Sequence, residues 1–521
     1  MLAIIALRAS LPCVKIVQDR RPSAGGSVGR TRVVPGTTED ISRRVVEDIA
    51  DQDDDFERWY VDVVKRAELA DDAQVRGCKI IRPYGYALWE NMQAALDTRI
   101  KATGVQNASF PMFIPESMFQ READHIEGFA PEVVRVTRAG ESELEEPLVV
   151  RPTSEAIICP MYARWVQSYR DLPILINQWC SVVRWEDRPR AFLRTTEFLW
   201  QEGHTCHATP EEAEERARQM LEVYRDFIET ELAIPVVPGE KSEAEKFAGA
   251  HRTYTVEAMM GGKNWALQSG TSHDLGDHFG RVFDIEFLDR DGERKFAFNT
   301  SWGLSHRTVG AIVMVHGDTN GLKLPPRVAP IQAVIVPIWR KEAERDVVEY
   351  FVGEIESSLR DNVRLFTDRR DDKTPGWKFS EWELKGVPLR IEVGPRDVQN
   401  GQVVLVRRDT REKQSVPVGQ LQETINGLLV QIQNDMFQAA QQRLTDMTVK
   451  VSTLDEMYER ISNNAGFSNA GWCGNAECEK RVKAESHATI RCIPFAQHDD
   501  PGKCVVYGDK AQHEVIFARA Y

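Results

Sequence analysis

Between Val183 and His207 the chain reads VRWEDRPRAFLRTTEFLWQEGHTCH, and no other stretch narrows the possible folds as far. Alternate side chains of an extended strand share a face, so Arg184 and Glu186 point the same way. A short polar loop follows (Asp187, Arg188, Pro189, Arg190), then an apolar strand carrying Arg194 and Phe198 four residues apart. The loop lets the strand double back, which sets Arg194 and Phe198 beside the first pair. A guanidinium, a carboxylate and an aromatic ring facing one cleft suit a nucleotide. The arginine grips phosphate or carboxylate in a two-pronged fork, and the ring offers a stacking plane for a base. Taken alone, the same residues also suit a surface hairpin with cross-strand ion pairs.

A length of 521 residues leaves room for two or three domains, each with its own core. No run of about 18 apolar residues is present, so no membrane partner is expected. The net charge of −14 speaks against a nucleic-acid partner unless one basic face is set apart from an acidic remainder. Cys13, Cys78, Cys159, Cys180 and Cys206 are scattered singly, as in a reduced compartment rather than a disulfide framework, which predicts a cytoplasmic protein.

Residues 1–50 read as a disordered N-terminal extension, with an organelle presequence or an upstream start codon as the other readings. Asp19 is the only acidic residue before Glu39, and the beginning, MLAIIAL, is too short to span a bilayer. Leu88, Met92, Ala95, Leu96 and Ile100 predict one apolar stripe on a helix that ends near Gly104. Thr153 has the position and chemistry of a cap for a helix from about 156 to 167. Thr209-Pro210-Glu211-Glu212 predicts another helix start. From Val236 to Phe296, short apolar runs alternate with turns, as in antiparallel sheet. Beyond a linker at Leu324–Val328, strands and helices alternate, predicting an α/β domain. An arginine at a helix start, as at Arg307, opposes the helix dipole and calls for a compensating anion.

The segment around Arg184 resembles motif 2 of the class II aminoacyl-tRNA synthetases, R-x-E, a loop, then R-x-x-x-F. The words RPTSEA (Arg151–Ala156), FLWQEGHT (Phe198–Thr205), LQSGTSHDLG (Leu267–Gly276) and TPGWKFSEWELKGVPLRIEVGPRD (Thr374–Asp397) are similar to prolyl-tRNA synthetases of the archaeal and eukaryotic-like type. The resemblance implies an α+β protein. A class II catalytic domain built on an antiparallel sheet would occupy 51–324, an α/β anticodon-binding domain 325–426, and a small α/β C-terminal domain 427–521. It implies a ligase that attaches L-proline to tRNA(Pro), first making prolyl-adenylate from ATP and then passing proline to the tRNA 3′ end. It also implies a homodimer through the motif 1 region, the helix before Gly104 and the strand after it. Too few residues separate Phe198 from Gly303 for the editing insertion of bacterial-type enzymes, so no cis editing is expected.

The same resemblance assigns roles. Arg184 would bridge proline's carboxylate and the α-phosphate, and Arg307 would grip the γ end of a bent ATP with Mg²⁺; these are the catalytic residues. Phe198 would stack on adenine and Glu186 would accept from its amino group, with Gln268, Thr271 and Ser305 as further nucleotide contacts. Thr153, Glu155 and His273 would hold proline's nitrogen and carboxylate, and Trp200, Glu202, His204 and Phe247 would wall its ring. Arg369, Arg370, Lys373, Lys378, Arg407, Arg408 and Arg411 would give the anticodon domain a basic face. Cys473, Cys478 and Cys504 match three ligands of a structural zinc site whose fourth position holds Tyr507, so either Cys492 moves in or the metal is lost. Tyr521 would reach back towards the catalytic domain. Thr196 stands where the family has a basic residue. His204-x-Cys206-His207 has the residue types of a metal site, but its strand spacing does not let the three converge. Two rival readings remain: a tRNA-binding protein that keeps the fold without aminoacylation, and a sister enzyme such as threonyl-tRNA synthetase.

Overall fold

The computed structural model describes residues 49–125 and 132–521, so the expectation for residues 1–50 falls almost wholly outside the described residues. An eleven-stranded sheet dominates the chain. Its catalytic half runs, in spatial order, through Val236–Glu240, Arg252–Met259, Ala266–Gly276, Phe298–Ser305, Glu197–His207 and Ile174–Val183, ending on the short edge strand Gln106–Asn107. The pairings from Val236–Glu240 to Ile174–Val183 are antiparallel. The Arg184 segment forms the hairpin at the heart of this sheet. Val183 pairs with Glu197, and the loop between them is closed by Arg184 N donating to Thr196 O (2.8 Å) and Arg190 N donating to Arg194 O (2.6 Å).

One face of the sheet is covered by the helix Pro210–Glu231, which begins as its sequence predicts. Pro210 occupies the first turn, and Thr209 accepts from Glu212 N (3.3 Å). Its apolar stripe (Ala217, Met220, Leu221, Tyr224, Phe227, Ile228) is buried against Tyr254, Val256, Leu267 and Trp302 of the sheet, and the helix Pro83–Ala102 packs alongside. With that face filled, the functional side chains must lie on the other one. Gly203 is needed between them, because a Cβ there would sit 2.1 Å from the Trp302 ring.

The C-terminal domain is not a separate body. Its strand Ala488–Pro494 pairs antiparallel with Val236–Glu240 (Ile493 with Glu240, Pro494 with Gly239), so its sheet continues the catalytic one. A buried cluster seals the junction: Lys241 Nζ donates to Glu257 (2.7 Å) and to Arg491 O (2.6 Å), and Arg491 donates to Glu257 (3.2 Å). The α/β domain carries a five-stranded mixed sheet. The helix Leu421–Met447 crosses the expected boundary at 426/427. Leu421, Ile425, Leu429 and Ile432 bury in the α/β core, while Ala440 and Leu444 reach the catalytic and C-terminal cores.

Two local expectations are corrected. The helix after RPTSEA spans Glu155–Trp165 with Ser154 as its N-cap residue, and the Thr153 hydroxyl donates to the Glu155 carboxylate instead of capping. The basic face of the α/β domain is largely neutralised by carboxylates, some of them neighbours in sequence and others distant. Arg369 pairs with Glu349 and Glu356, Arg370 with Asp368 and Glu381, and Arg407 with Asp409 and Asp435. Arg408 pairs with Asp318 of the catalytic domain, and Lys378 is buried beside Asp368.

Candidate active site

On the open face of the sheet lies a cavity of about 230 Å³, and the strand register explains which side chains line it. Trp200, Glu202 and His204 alternate along one strand and pair with Ser305, Gly303 and Ser301 of its neighbour. Gly303 and Ser301 in turn pair with Thr271 and His273. Period-two alternation therefore delivers all of them to one surface. Gly303 lets the floor lie flat, since a Cβ there would stand 2.8 Å from the Trp200 ring.

The cavity brings together Thr153, Glu155, Arg184, Phe198, Trp200, Glu202, His204, Phe247, Gln268, Thr271, His273, Ser305 and Arg307. Of the predicted site residues outside the cysteine cluster, Glu186 alone is not in its wall: its carboxylate accepts from Arg188 N (3.0 Å) in the hairpin loop. Thr196 is buried away from the cavity, its backbone N donating to Gly77 O (2.9 Å), so a longer basic side chain has no room there. Sequence reasoning missed Glu245, Lys246, Thr253, Ser301 and Trp302. Ser301 shares the cavity face with Gly303 and Ser305 by strand alternation, whereas Trp302 faces the covering helix and reaches the wall only because Gly203 and Gly303 carry no side chains. Nothing local marked Glu245, Lys246 or Thr253.

One end of the cavity is cationic. Arg184 donates from Nε to Pro152 O (2.8 Å), and its guanidinium lies over the rings of Phe198 (5.5 Å) and Trp200 (5.2 Å). Its side chain is exposed to the cavity, and the density of protein around it pulls its pKa below the usual value against the opposing pull of Glu155 and Glu202. Arg307 is the first residue of the helix Arg307–His316 and donates to Leu193 O (3.2 Å) and Gln268 O (3.4 Å). Burial, then Arg194 and Arg184, push its pKa down to about 10. Clustered cations that repel one another in this way form a receptor for a polyanion.

The other end is carboxylate-rich. Thr153 donates to Glu155. His204 Nε2 lies 3.0 Å from Glu202, and its Nδ1 lies 4.0 Å from Glu155. Burial opposes a charge on His204, but Glu155 and Glu202 outweigh it and raise its pKa. His273, by contrast, is held down at about 3 by burial and by Arg184 and His204, so it is neutral and hydrogen-bonds to Thr253 Oγ1 (3.0 Å). An ammonium with an apolar body would meet Glu155 and Thr153 here, between the rings of Phe247 and Trp200.

Among the described residues, one set of side chains has metal-ligand spacing: the Sγ atoms of Cys473, Cys478 and Cys504 all lie within 4.8 Å of one another. The Cys473–Cys478 and Cys478–Cys504 separations of 3.4 and 3.8 Å suit thiolates around one tetrahedral ion with bonds of about 2.3 Å. Tyr507 is 52% exposed under the Arg481 guanidinium, and Cys492 is buried in a different core with Met259 and Ile516. The expectation that Cys492 could complete the set is thereby corrected. Cys206 is buried in another core beside a His207 bonded to Thr205, and joins no metal set. Tyr521 does reach the catalytic sheet, its N donating to Ala266 O (3.2 Å) and its ring lying 5.2 Å from the Arg190 guanidinium.

The chain matches the model of the tRNA synthetase class II core domain (G, H, P, S and T) over residues 137–316. It matches that of the anticodon binding domain over 332–428 and that of the prolyl-tRNA synthetase C-terminal domain over 454–521. It is 54% identical to a proline–tRNA ligase of Natranaerobius thermophilus over 91% of this chain and 98% of the relative. It is 52% identical to proline–tRNA ligase 2 of Clostridioides difficile over 92% and 99% of the two chains. A crystal structure of prolyl-tRNA synthetase from Cryptosporidium parvum, complexed with halofuginone and AMPPNP, superposes with a TM-score of 0.87. That similarity is at 42% identity and covers 91% of this chain and 99% of the other.

Proposed function

The chain belongs to the prolyl-tRNA synthetases, enzymes that join L-proline to tRNA(Pro), and we propose that the cavity between Arg307 and Glu155 is where it makes prolyl-adenylate. The observation that carries this reading is the polarity of that cavity, with guanidinium groups at one end and an ammonium receptor at the other. Proline's carboxylate is already ionised at neutral pH, so attack on the α-phosphate of ATP needs placement and charge stabilisation, not a base. Arg184, at the cationic end but within electrostatic reach of Glu155 and Glu202, would bridge the carboxylate and the α-phosphate, and Arg307 would hold the γ-phosphate of a bent ATP. Phe198, with Gln268, Thr271 and Ser305, would seat the nucleoside. Glu186 would join it once the 185–190 loop folds over the cavity. Mg²⁺ would neutralise charge on the phosphates.

Thr153 and Glu155 would bind proline's secondary ammonium, with neutral His273 nearby and Trp200, Phe247 and His204 around the ring. Transfer to the tRNA 3′ end then needs the same cavity open to solvent on one side, and the α/β domain would dock the anticodon. Cys473, Cys478 and Cys504 would hold a structural Zn²⁺, which would brace the fold of the C-terminal domain. A homodimer through the motif 1 region is supported by the exposed apolar side chains of Met112 and Phe113 at its strand. The described cysteines are all free thiols, and no helix among the described residues is long and apolar enough to cross a membrane. Proline-dependent charging of tRNA(Pro) by the wild type and by Glu155→Gln tests the reading. A large rise in the proline KM of the variant is expected, and an unchanged value contradicts the assignment of this pocket.

A further inference from the structure

The carboxylate of Glu202 lines the cavity, but it has no capacity left to bind a substrate ammonium strongly. Its Oε1 accepts from Ser154 Oγ, from Gln178 Nε2 (2.6 Å) and from Cys180 Sγ (3.4 Å), and its Oε2 lies 3.0 Å from His204 Nε2. It is therefore a group that is held, and that holds His204 in turn. His204 then presents Nδ1 towards Glu155, the carboxylate that accepts from Thr153 and that the pocket proposed above gives to proline. What fixes this line of groups is Gln178, directly opposite Glu202 in the strand pairing and, like it, buried.

The two ends of the Gln178 amide are committed to different places. Nε2 donates to Glu202 and to Ser154 Oγ (2.9 Å), while Oε1 accepts the backbone N–H of Phe110 (3.1 Å). Rotating the amide by half a turn would aim its NH₂ at the Phe110 N–H and its oxygen at a carboxylate, so one orientation satisfies every partner. Phe110 is anchored a second time, its carbonyl accepting from Arg151 Nη1 (2.8 Å). The segment it belongs to runs directly into the strand Phe113–Pro115, where Met112 and Phe113 are exposed.

We infer that Gln178 is a positioning residue for proline: it fixes Glu202, and through Glu202 the imidazole of His204, relative to the backbone at Phe110. The inference rests on the proline pocket proposed above. It makes proline recognition dependent on how the 108–115 segment is seated, a dependence that Arg307 at the ATP end does not share, because it is anchored on Leu193 and Gln268, whereas Arg184 is held on Pro152, next to the Arg151 that donates to Phe110 O and Met112 O.

Steady-state ATP–pyrophosphate exchange on the full chain separates the two substrates. Gln178→Met keeps the shape of the side chain and removes both hydrogen-bonding ends. Gln178→Glu keeps an acceptor for Phe110 N–H and replaces the donor to Glu202 by a second carboxylate. Both are expected to raise the proline KM by about tenfold or more, Gln178→Glu the further of the two, with the ATP KM within twofold of wild type. A proline KM within twofold of wild type in both variants overturns the inference. So does a parallel loss of proline and ATP affinity, which is the mark of general damage or of failure to fold. Glu155→Gln, measured alongside, tests the pocket itself: if it raises the proline KM while the Gln178 variants do not, the relay fails and the pocket stands.

Discussion

Arg184 and Arg307, more than a hundred residues apart in the chain, face one cavity, and each is anchored on backbone carbonyls rather than on a carboxylate. Burial first, and then the charges of Arg194 and Arg184, bring the Arg307 pKa down to about 10, whereas the pKa of Arg184 is lowered by the protein around it against the pull of Glu155 and Glu202. Two cations left in this state form a site waiting for a polyanion, and the other consequences of the site follow from what surrounds them.

His204 gives a pH dependence of defined sign. Its pKa is raised above the ordinary 6.5 because Glu155 and Glu202 outweigh the cost of burial, with Arg184 and neutral His273 the other titratable groups near it. A group of this kind stabilises the fold fully below about pH 6.5 and ceases to do so as pH rises through the raised value. Glu202, depressed from 4.5 despite burial, sets the lower bound. His204→Asn is therefore expected to lose more stability at pH 6 than at pH 9 relative to wild type, read as the difference in denaturant midpoint. An equal loss at both would mean that His204 is neutral in the fold.

Selectivity against small amino acids should be modest. Trp200 and Phe247 are apolar walls, and each methylene discriminates by only about 1–3 kcal/mol. Alanine and cysteine are expected to support ATP–pyrophosphate exchange with a rejection ratio below about 10⁵ relative to proline. A higher ratio for both would show that the pocket reads proline by something other than its walls.

Much of this site is legible in the amino-acid sequence. The strand alternation around Trp200, Glu202 and His204, the R-x-E hairpin and the Arg307 helix start are local patterns, and period and position carry their geometry. Other features are out of reach there because their cause is distant along the chain. Arg408 reads as an RNA-facing cation until the fold brings Asp318 to it. Thr196 reads as a lost nucleotide contact until Gly77 is found packed on it. The joined sheet depends on Ile493 meeting Glu240, and no window of sequence contains both.

The Arg408–Asp318 pair ties the α/β domain to the catalytic domain through two hydrogen bonds of 3.0 and 2.7 Å, with Lys323 at 3.1 Å. Burial works to raise the Asp318 pKa, but Arg408 and Lys323 prevail and hold it at about 2. A depressed carboxylate stabilises above its ordinary value of 3.8 and loses that contribution as pH falls towards 2. Asp318→Asn is expected to cost about 3 kcal/mol at pH 7, because it leaves Arg408 buried without its partner. Chemical denaturation checks the figure, and a loss under about 0.5 kcal/mol, typical of an exposed surface pair, would show that the contact is dispensable.

The three-thiol cluster predicts weak metal retention. Tyr507→Cys restores a fourth thiol at the family position and is expected to keep its metal through dialysis against a chelator that strips the wild type, with metal content read by mass spectrometry. Cys478→Ser should bind none. If the wild type holds one ion per chain as firmly as the variant, the fourth position is filled by some other ligand.

The clamp itself is tested most directly by proline-dependent ATP–pyrophosphate exchange with wild type, Arg184→Lys and Arg307→Lys. Lysine keeps the charge and loses the fork, so the wild type should exchange with L-proline while kcat/KM falls by about 10²-fold or more in each variant. A wild type that makes no adenylate with proline, or a lysine variant within threefold of it, would contradict the account.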